Sequence, residues 1–201
     1  MDKPSPVHSR HHAVQFYEND SSLFATVAGF LSQGLVEGHP AILIATAEHT
    51  VAILDHLKGR MIDVAKARAL GELTVLDAHQ TLAMFMVDDK PDPVRFESSI
   101  GRMIGSLLQG RSERALVRAY GEMVDVLWKD GREDAAIQLE LLWNSLAGRY
   151  GFALLCGYAM GNFFKQTRLF EEVCKQHTHV IPAESVTAHS RRSHANYPLT
   201  V

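Results

Sequence analysis

Five short apolar or β-branched runs, each followed by a stretch of helical periodicity, predict an α/β fold. The sheet is expected to be mainly parallel and covered by helices on both faces, giving three layers. The clearest strand signal is AILIAT (41–46), apolar throughout and bounded by breakers, as a strand buried on both faces requires. The 201-residue length suits one such domain with short extras and is enough to bury a core.

The elements follow in order. The polar stretch to residue 11 carries Pro4 and Pro6 and reads as a disordered tail. A strand is predicted over 13–17, where Val14, Phe16 and Tyr17 favour a pleated surface. Asp20 or Ser21 then caps a helix running to about Glu37, with Leu23, Phe24, Val27, Phe30 and Leu31 at helical spacing. Gly38-His39-Pro40 breaks the chain before the 41–46 strand. A helix is expected over 47–58 and a short one within 59–71. LTVLDA (73–78) is the third strand, and Thr81 opens the next short helix. DDKPDP is a turn stiffened by Pro91 and Pro93, and Phe96, Ile100, Met103, Ile104 and Leu107 mark an amphipathic helix after it. ALVRAY (115–120) is the fourth strand, followed by a helix from Met123. The strongest helix spans 131–149, with Ala135, Leu139, Leu142, Trp143 and Leu146 on one face and Glu140 near them. FALLCGY (152–158) is the fifth strand, and 160–176 is largely helical. The domain proper is expected over 12–182, with tails at 1–11 and 183–201.

Lys and Arg total 20 and Asp and Glu 23, a formal charge of −3, so nothing demands nucleic acid or an anionic membrane as a direct partner. Two cysteines, Cys156 and Cys174, without CxxC spacing argue against a disulfide framework and suit a reducing compartment. No apolar run reaches membrane-spanning length, and the first residues lack the apolar centre of a signal peptide. A cytoplasmic protein is expected.

In parallel sheets of this kind, ligands sit beyond the carboxyl ends of the strands. The first of these ends, Glu18-Asn19-Asp20, is a strand–turn–helix unit of the sort that often binds phosphate, yet it is acidic and has neither glycine nor lysine. GxxxxGK[ST] appears nowhere in the chain. Asp20 is expected mainly as a helix cap, leaving Tyr17 and Glu18 as pocket candidates. Glu122 and Asp125 follow the fourth strand. Glu122 reads as a polar anchor in a pocket, without a visible catalytic partner. Cys156, in the fifth strand, reads as a small buried hydrophobe unless His12, His49 or His79 lies beside it. His177 and His179 follow the last helix, and with Cys174 they lack a third or fourth ligand, so no metal site is expected. A polar helix terminus is the simpler reading. Asp77 and His79 make a weak dyad. Arg118 lies inside a strand and needs a partner, with Glu122 or Glu140 the expected one.

Several segments together resemble a known family: HAVQFYEND, FLSQGLVEGHPAILIATAEH, FMVDDKPDPVRF, YGEMVDVLW, LELLWNSLA, LLCGYAM and HTHVIPAES. In order and content they look like the MEDS domain, the methanogen/methylotroph, DcmR sensory domain, over about residues 10–186. That resemblance implies a derived RecA/KaiC-like fold without a functional P-loop. It places the former phosphate loop at Tyr17–Ser21 and a helix, a Gly34–Gly38 turn and a buried strand after it, with ALVRAY where a magnesium-binding strand would lie. It implies a non-catalytic domain that senses a small molecule such as a simple hydrocarbon derivative. Output would pass through a partner, a histidine kinase or a transcription regulator, or through a homo-oligomer. By position it points to His12, Phe16, Tyr17, Glu122, Cys156 and Tyr158 as ligand-binding residues, and it names no cofactor. Two rival readings remain. One is a nucleotide-binding or hydrolysing protein with Glu122 orienting water and Arg60 or Arg118 on the phosphates. The other is a ligand-free interaction module using an exposed helix.

Overall fold

The computed structural model describes residues 11–163 and 166–183, so most of both expected tails lies outside the described residues. The chain opens with β1 (His11–Tyr17), α1 (Asp20–Val36), β2 (Ala41–Ala45), α2 (Ala47–Gly59), α3 (Val64–Ala69) and β3 (Leu73–Asp77). Next come α4 (Ala78–Phe85), a small hairpin of β4 (Met86–Val87) and β5 (Lys90–Pro91), α5 (Pro93–Phe96), a wide helical turn at Glu97–Gly101 and α6 (Arg102–Leu108). The chain then forms β6 (Val117–Gly121), α7 (Met123–Lys129), α8 (Glu133–Ala147), β7 (Phe152–Ala159), a tight turn at Met160–Phe163, α9 (Thr167–Gln176) and β8 (His179–Ile181).

Six strands form one sheet in the order β3-β2-β6-β7-β1-β8, and every neighbouring pair is parallel. The α/β three-layer expectation therefore holds. The sheet separates two cores. One face packs α1, α2 and α3 through Leu23, Leu31, Ile53, Leu57 and Ala67. The other packs α4 to α9 through Phe85, Phe96, Leu139, Trp143 and Val173. Alternation along β1 decides which residues reach which side: Val14 and Phe16 join the second core and Tyr17 the first. β2 reads as a continuous apolar run because all five of its residues are buried.

Several expectations need correction. The cap of α1 is Asn19, not Asp20 or Ser21; its extended backbone lets the side chain accept from the Ser22 N–H at 3.0 Å. α4 begins at Ala78 rather than Thr81, because Asp77 accepts from the Gln80 N–H and caps it. The 88–89 turn closes a hairpin, with Asp88 and Asp89 both at positive φ. A sixth strand, β8, was not expected: its three residues are too few and too exposed to show a strand period, and pairing with β1 defines it. Arg118 pairs with neither Glu122 nor Glu140. Its guanidinium lies 3.4 Å from Glu37 and over the Phe30 ring, on the α1 face, while Glu140 is on the opposite face. Gly34 makes room for it, since a Cβ there would collide with the Arg118 stem.

Candidate functional site

Two polar centres sit on the sheet. The first lies where β2, β3 and β6 end. Gly121 ends β6 and α7 starts at Met123, which leaves Glu122 between them, 3 % exposed. One of its carboxylate oxygens accepts the Thr46 N–H, at the mouth of β2. The other takes His49 Nδ1 at 2.7 Å and the Tyr120 hydroxyl at 3.2 Å. Asp125, in the first turn of α7, accepts the Tyr17 hydroxyl at 2.9 Å, the Ala159 N–H at 2.9 Å and the Asn162 amide at 2.6 Å, and pairs with Lys129 at 2.8 Å. Burial opposes charge on Glu122, but the bonds from His49 and Thr46 outweigh it and hold the carboxyl below its ordinary range. The His49–Glu122 bond raises the histidine against its own burial, and Asp20, 3.8 Å from Nε2, adds to this.

Above these groups opens a cleft of about 480 Å³. Among the described residues, Glu48, Asp77, Glu122, Asp125 and Asp130 place five carboxylates on its wall against one lysine, Lys129, with His49 and His79 beside them. Such a wall favours a cation or a hydrogen-bond donor and opposes a phosphate. The N-terminus of α1 adds no anion site, because the Asn19 side chain takes the Ser22 N–H and Asp20 follows.

The second centre is buried between the sheet and α8. His12 from β1, Cys156 from β7, Glu140 from α8 and His177 at the end of α9 place one ligand-type atom each within 4.8 Å of one another, and all four are buried. His12 Nε2 lies 3.1 Å from Glu140 Oε2 and 3.4 Å from Cys156 Sγ. Tyr158 donates to Glu140 Oε1 at 3.0 Å. His177 Nε2 is 3.4 Å from the same oxygen, within ion-pair reach but without hydrogen-bond geometry. Burial opposes charge on Glu140, yet the facing His177 and His12 overcome it and hold the carboxyl well below the usual range. Burial and then Glu140 push the Cys156 thiol up.

A family model described as MEthanogen/methylotroph, DcmR Sensory domain matches residues 11–178. The chain belongs to the MEDS family. No curated protein matches it in sequence. Among solved structures it is similar to an uncharacterized protein from Pyrococcus horikoshii, in complex with an unknown peptide, at a TM-score of 0.60 and 15 % identity. That match covers 87 % of this chain and 78 % of the other, and it speaks to the fold alone.

The MEDS domain distributes the six residues named from the sequence over both centres. His12, Cys156 and Tyr158 meet in the buried one. Phe16 lies beside Tyr158 in an aromatic group with Phe163 and Phe170, with ring centroids 4.7–6.2 Å from its own. Tyr17 and Glu122 belong to the cleft centre instead. Of the three histidines weighed as partners for Cys156, only His12 reaches it; His49 and His79 line the cleft. Cys174 stays outside the buried group, and His177 enters it through Nε2 while its Nδ1 meets the Val173 carbonyl at 2.7 Å. Sequence reasoning missed the roles of His49 and Glu140. Glu140 did leave a signal: a carboxylate on the apolar face of α8, beside Ala136, Leu139 and Trp143, must meet partners when that face is buried. Asp77 and His79 both line the cleft, but Asp77 is engaged as the α4 cap.

Proposed function

We propose that this MEDS domain is a non-catalytic, cytoplasmic signal-sensing module that takes a small organic molecule in the cleft at the carboxyl ends of β2, β3 and β6. The observation that carries this reading is the cleft wall: among the described residues, the rim carboxylates Glu48, Asp77 and Asp130 and one lysine lie over two buried, fully partnered acids, Glu122 and Asp125. Glu122 and Asp125 are held by fixed donors, so the floor is preorganised. The matching ligand is a neutral or cationic derivative of a simple hydrocarbon, an alcohol or an amine, whose hydroxyl or ammonium group donates to the rim acids. Its signal passes to a partner, a histidine kinase or a regulator, or through self-association. Nucleotide binding fits less well. Neither Arg60, which donates to the Ala25 carbonyl, nor Arg118, which pairs with Glu37, lines the cleft.

Native mass spectrometry of the purified protein, repeated with short-chain amines, short-chain alcohols, a short peptide and Mg-ATP, tests this. The expected result is a one-to-one adduct with an amine or alcohol that weakens in the rim variant Glu48→Gln/Asp130→Asn. A magnesium-dependent ATP adduct, or no small-molecule adduct at millimolar concentration, overturns it.

A further inference from the structure

We infer that His12, Glu140, Cys156 and His177 form a four-coordinate site for a borderline divalent cation of the Zn²⁺ class, separate from the ligand cleft. The spacing fits. With metal–nitrogen bonds of about 2.0–2.1 Å and a metal–sulfur bond of about 2.3 Å, the edges of a tetrahedral ligand set measure roughly 3.3–3.8 Å. The His12–Glu140, His12–Cys156 and Cys156–Glu140 separations are 3.1, 3.4 and 3.5 Å, and no pair in the group exceeds 4.8 Å.

The outer partners set the lone pairs. His177 Nδ1 faces the Val173 carbonyl, which only accepts, so Nδ1 carries the proton and a neutral ring aims its Nε2 lone pair at Glu140. Asn144 fixes His12 in the same way. Its amide nitrogen donates to the Gln176 carbonyl at 3.0 Å, which turns Oδ1 toward His12 Nδ1, also at 3.0 Å. Two imidazole lone pairs therefore converge on one carboxylate, a repulsive arrangement unless something positive lies between them. Protonating both rings leaves a net positive charge in a buried site, with His177 Nε2 still lacking a hydrogen-bond partner. A divalent cation resolves both problems at once. Two neutral imidazoles, one carboxylate and one thiolate around a 2+ ion sum to zero charge. The Cys156 thiol releases its proton to solvent as the sulfur–metal bond forms. Two imidazoles with a thiolate and a carboxylate suit Zn²⁺ or Co²⁺ better than Mg²⁺ or Ca²⁺. The set is drawn from β1, β7, α8 and the end of α9, so the ion clamps the segment that leads into β8.

The test is titration of the chelator-treated full chain with Co²⁺, followed by ultraviolet and visible absorption. The expected outcome is uptake of one equivalent, strong visible bands of a four-coordinate ion and a thiolate-to-cobalt charge-transfer band. That band persists in Cys174→Ser and is lost in Cys156→Ser. Asn144→Ala, which removes a side chain that holds His12 directly and the Gln176 carbonyl next to His177 without itself reaching the metal, weakens affinity roughly 10–100-fold. No stoichiometric uptake by the unaltered chain, or uptake without the sulfur band, overturns the assignment. The unaltered chain and Cys174→Ser decide the matter even where a ligand variant fails to fold. Because the cleft is made of other residues, the outcome is independent of whether an organic ligand binds there.

Discussion

Glu140 has its carboxylate at 0 % exposure, surrounded by His12, His177, Cys156 and Tyr158. A buried charge survives only where partners replace water, so removing either side of the arrangement is expensive. Glu140→Gln is expected to lower unfolding stability by about 3–5 kcal/mol in urea titration. An unchanged midpoint would mean that the histidines do not rely on this carboxylate. Glu140 is also where legibility from sequence ended. A single carboxylate in an apolar helical stripe announces that partners exist, but His12 lies 128 positions earlier in the chain, and the two meet only because β1 lies beside β7 and α8 packs on that face of the sheet. The same holds for His49, whose bond to Glu122 depends on β2 lying next to β6.

At the level of the elements, local patterns were enough for the five longer strands and most of the helices, because each buries an apolar face with its own period. They were not enough for β8, whose definition lies in its neighbour, nor for the start of α1, where Asn19 and Asp20 are equally good caps on paper. Backbone geometry chose Asn19. Asn19→Ala is expected to cost about 1 kcal/mol in unfolding free energy, while Asp20→Ala leaves the cap itself intact. Gly34 has a second structural role that its place near a turn conceals: it lets Arg118 cross α1. Gly34→Ala is therefore expected to destabilise by about 1–3 kcal/mol despite alanine's better helix propensity, with the loss read from thermal unfolding. A stabilised variant would show that the arginine moves aside freely.

At the scale of the whole molecule, two clusters of buried acids and histidines stand out among the described residues. One centre is closed and lies under α8; the other is open, where β2, β3 and β6 end. The open one makes stability depend on pH. Glu122 has a depressed carboxyl, so its contribution is present above the ordinary value of 4.5 and is lost as pH falls through the folded-state value below it. His49 has a raised imidazole, so its contribution is full below the ordinary value of 6.5 and is lost as pH rises through the folded-state value above it. The pair, with Thr46, Tyr120, Asp20 and Lys129 facing it, should thus stabilise most between pH 4.5 and 6.5. His49→Gln is expected to flatten the alkaline side of a melting-temperature profile. A profile identical to that of the unaltered chain contradicts this.

In the proposed function a small organic ligand occupies the cleft. Its most direct test is a ¹H–¹⁵N correlation titration of the full chain with the amine or alcohol that forms the mass-spectrometric adduct. The amide signals of Thr46, His49, Glu122 and Lys129 are expected to shift together and to saturate at one equivalent. Shifts confined to other parts of the sheet, or cleft signals that move with Mg-ATP and not with the organic ligand, would overturn that assignment of the cleft.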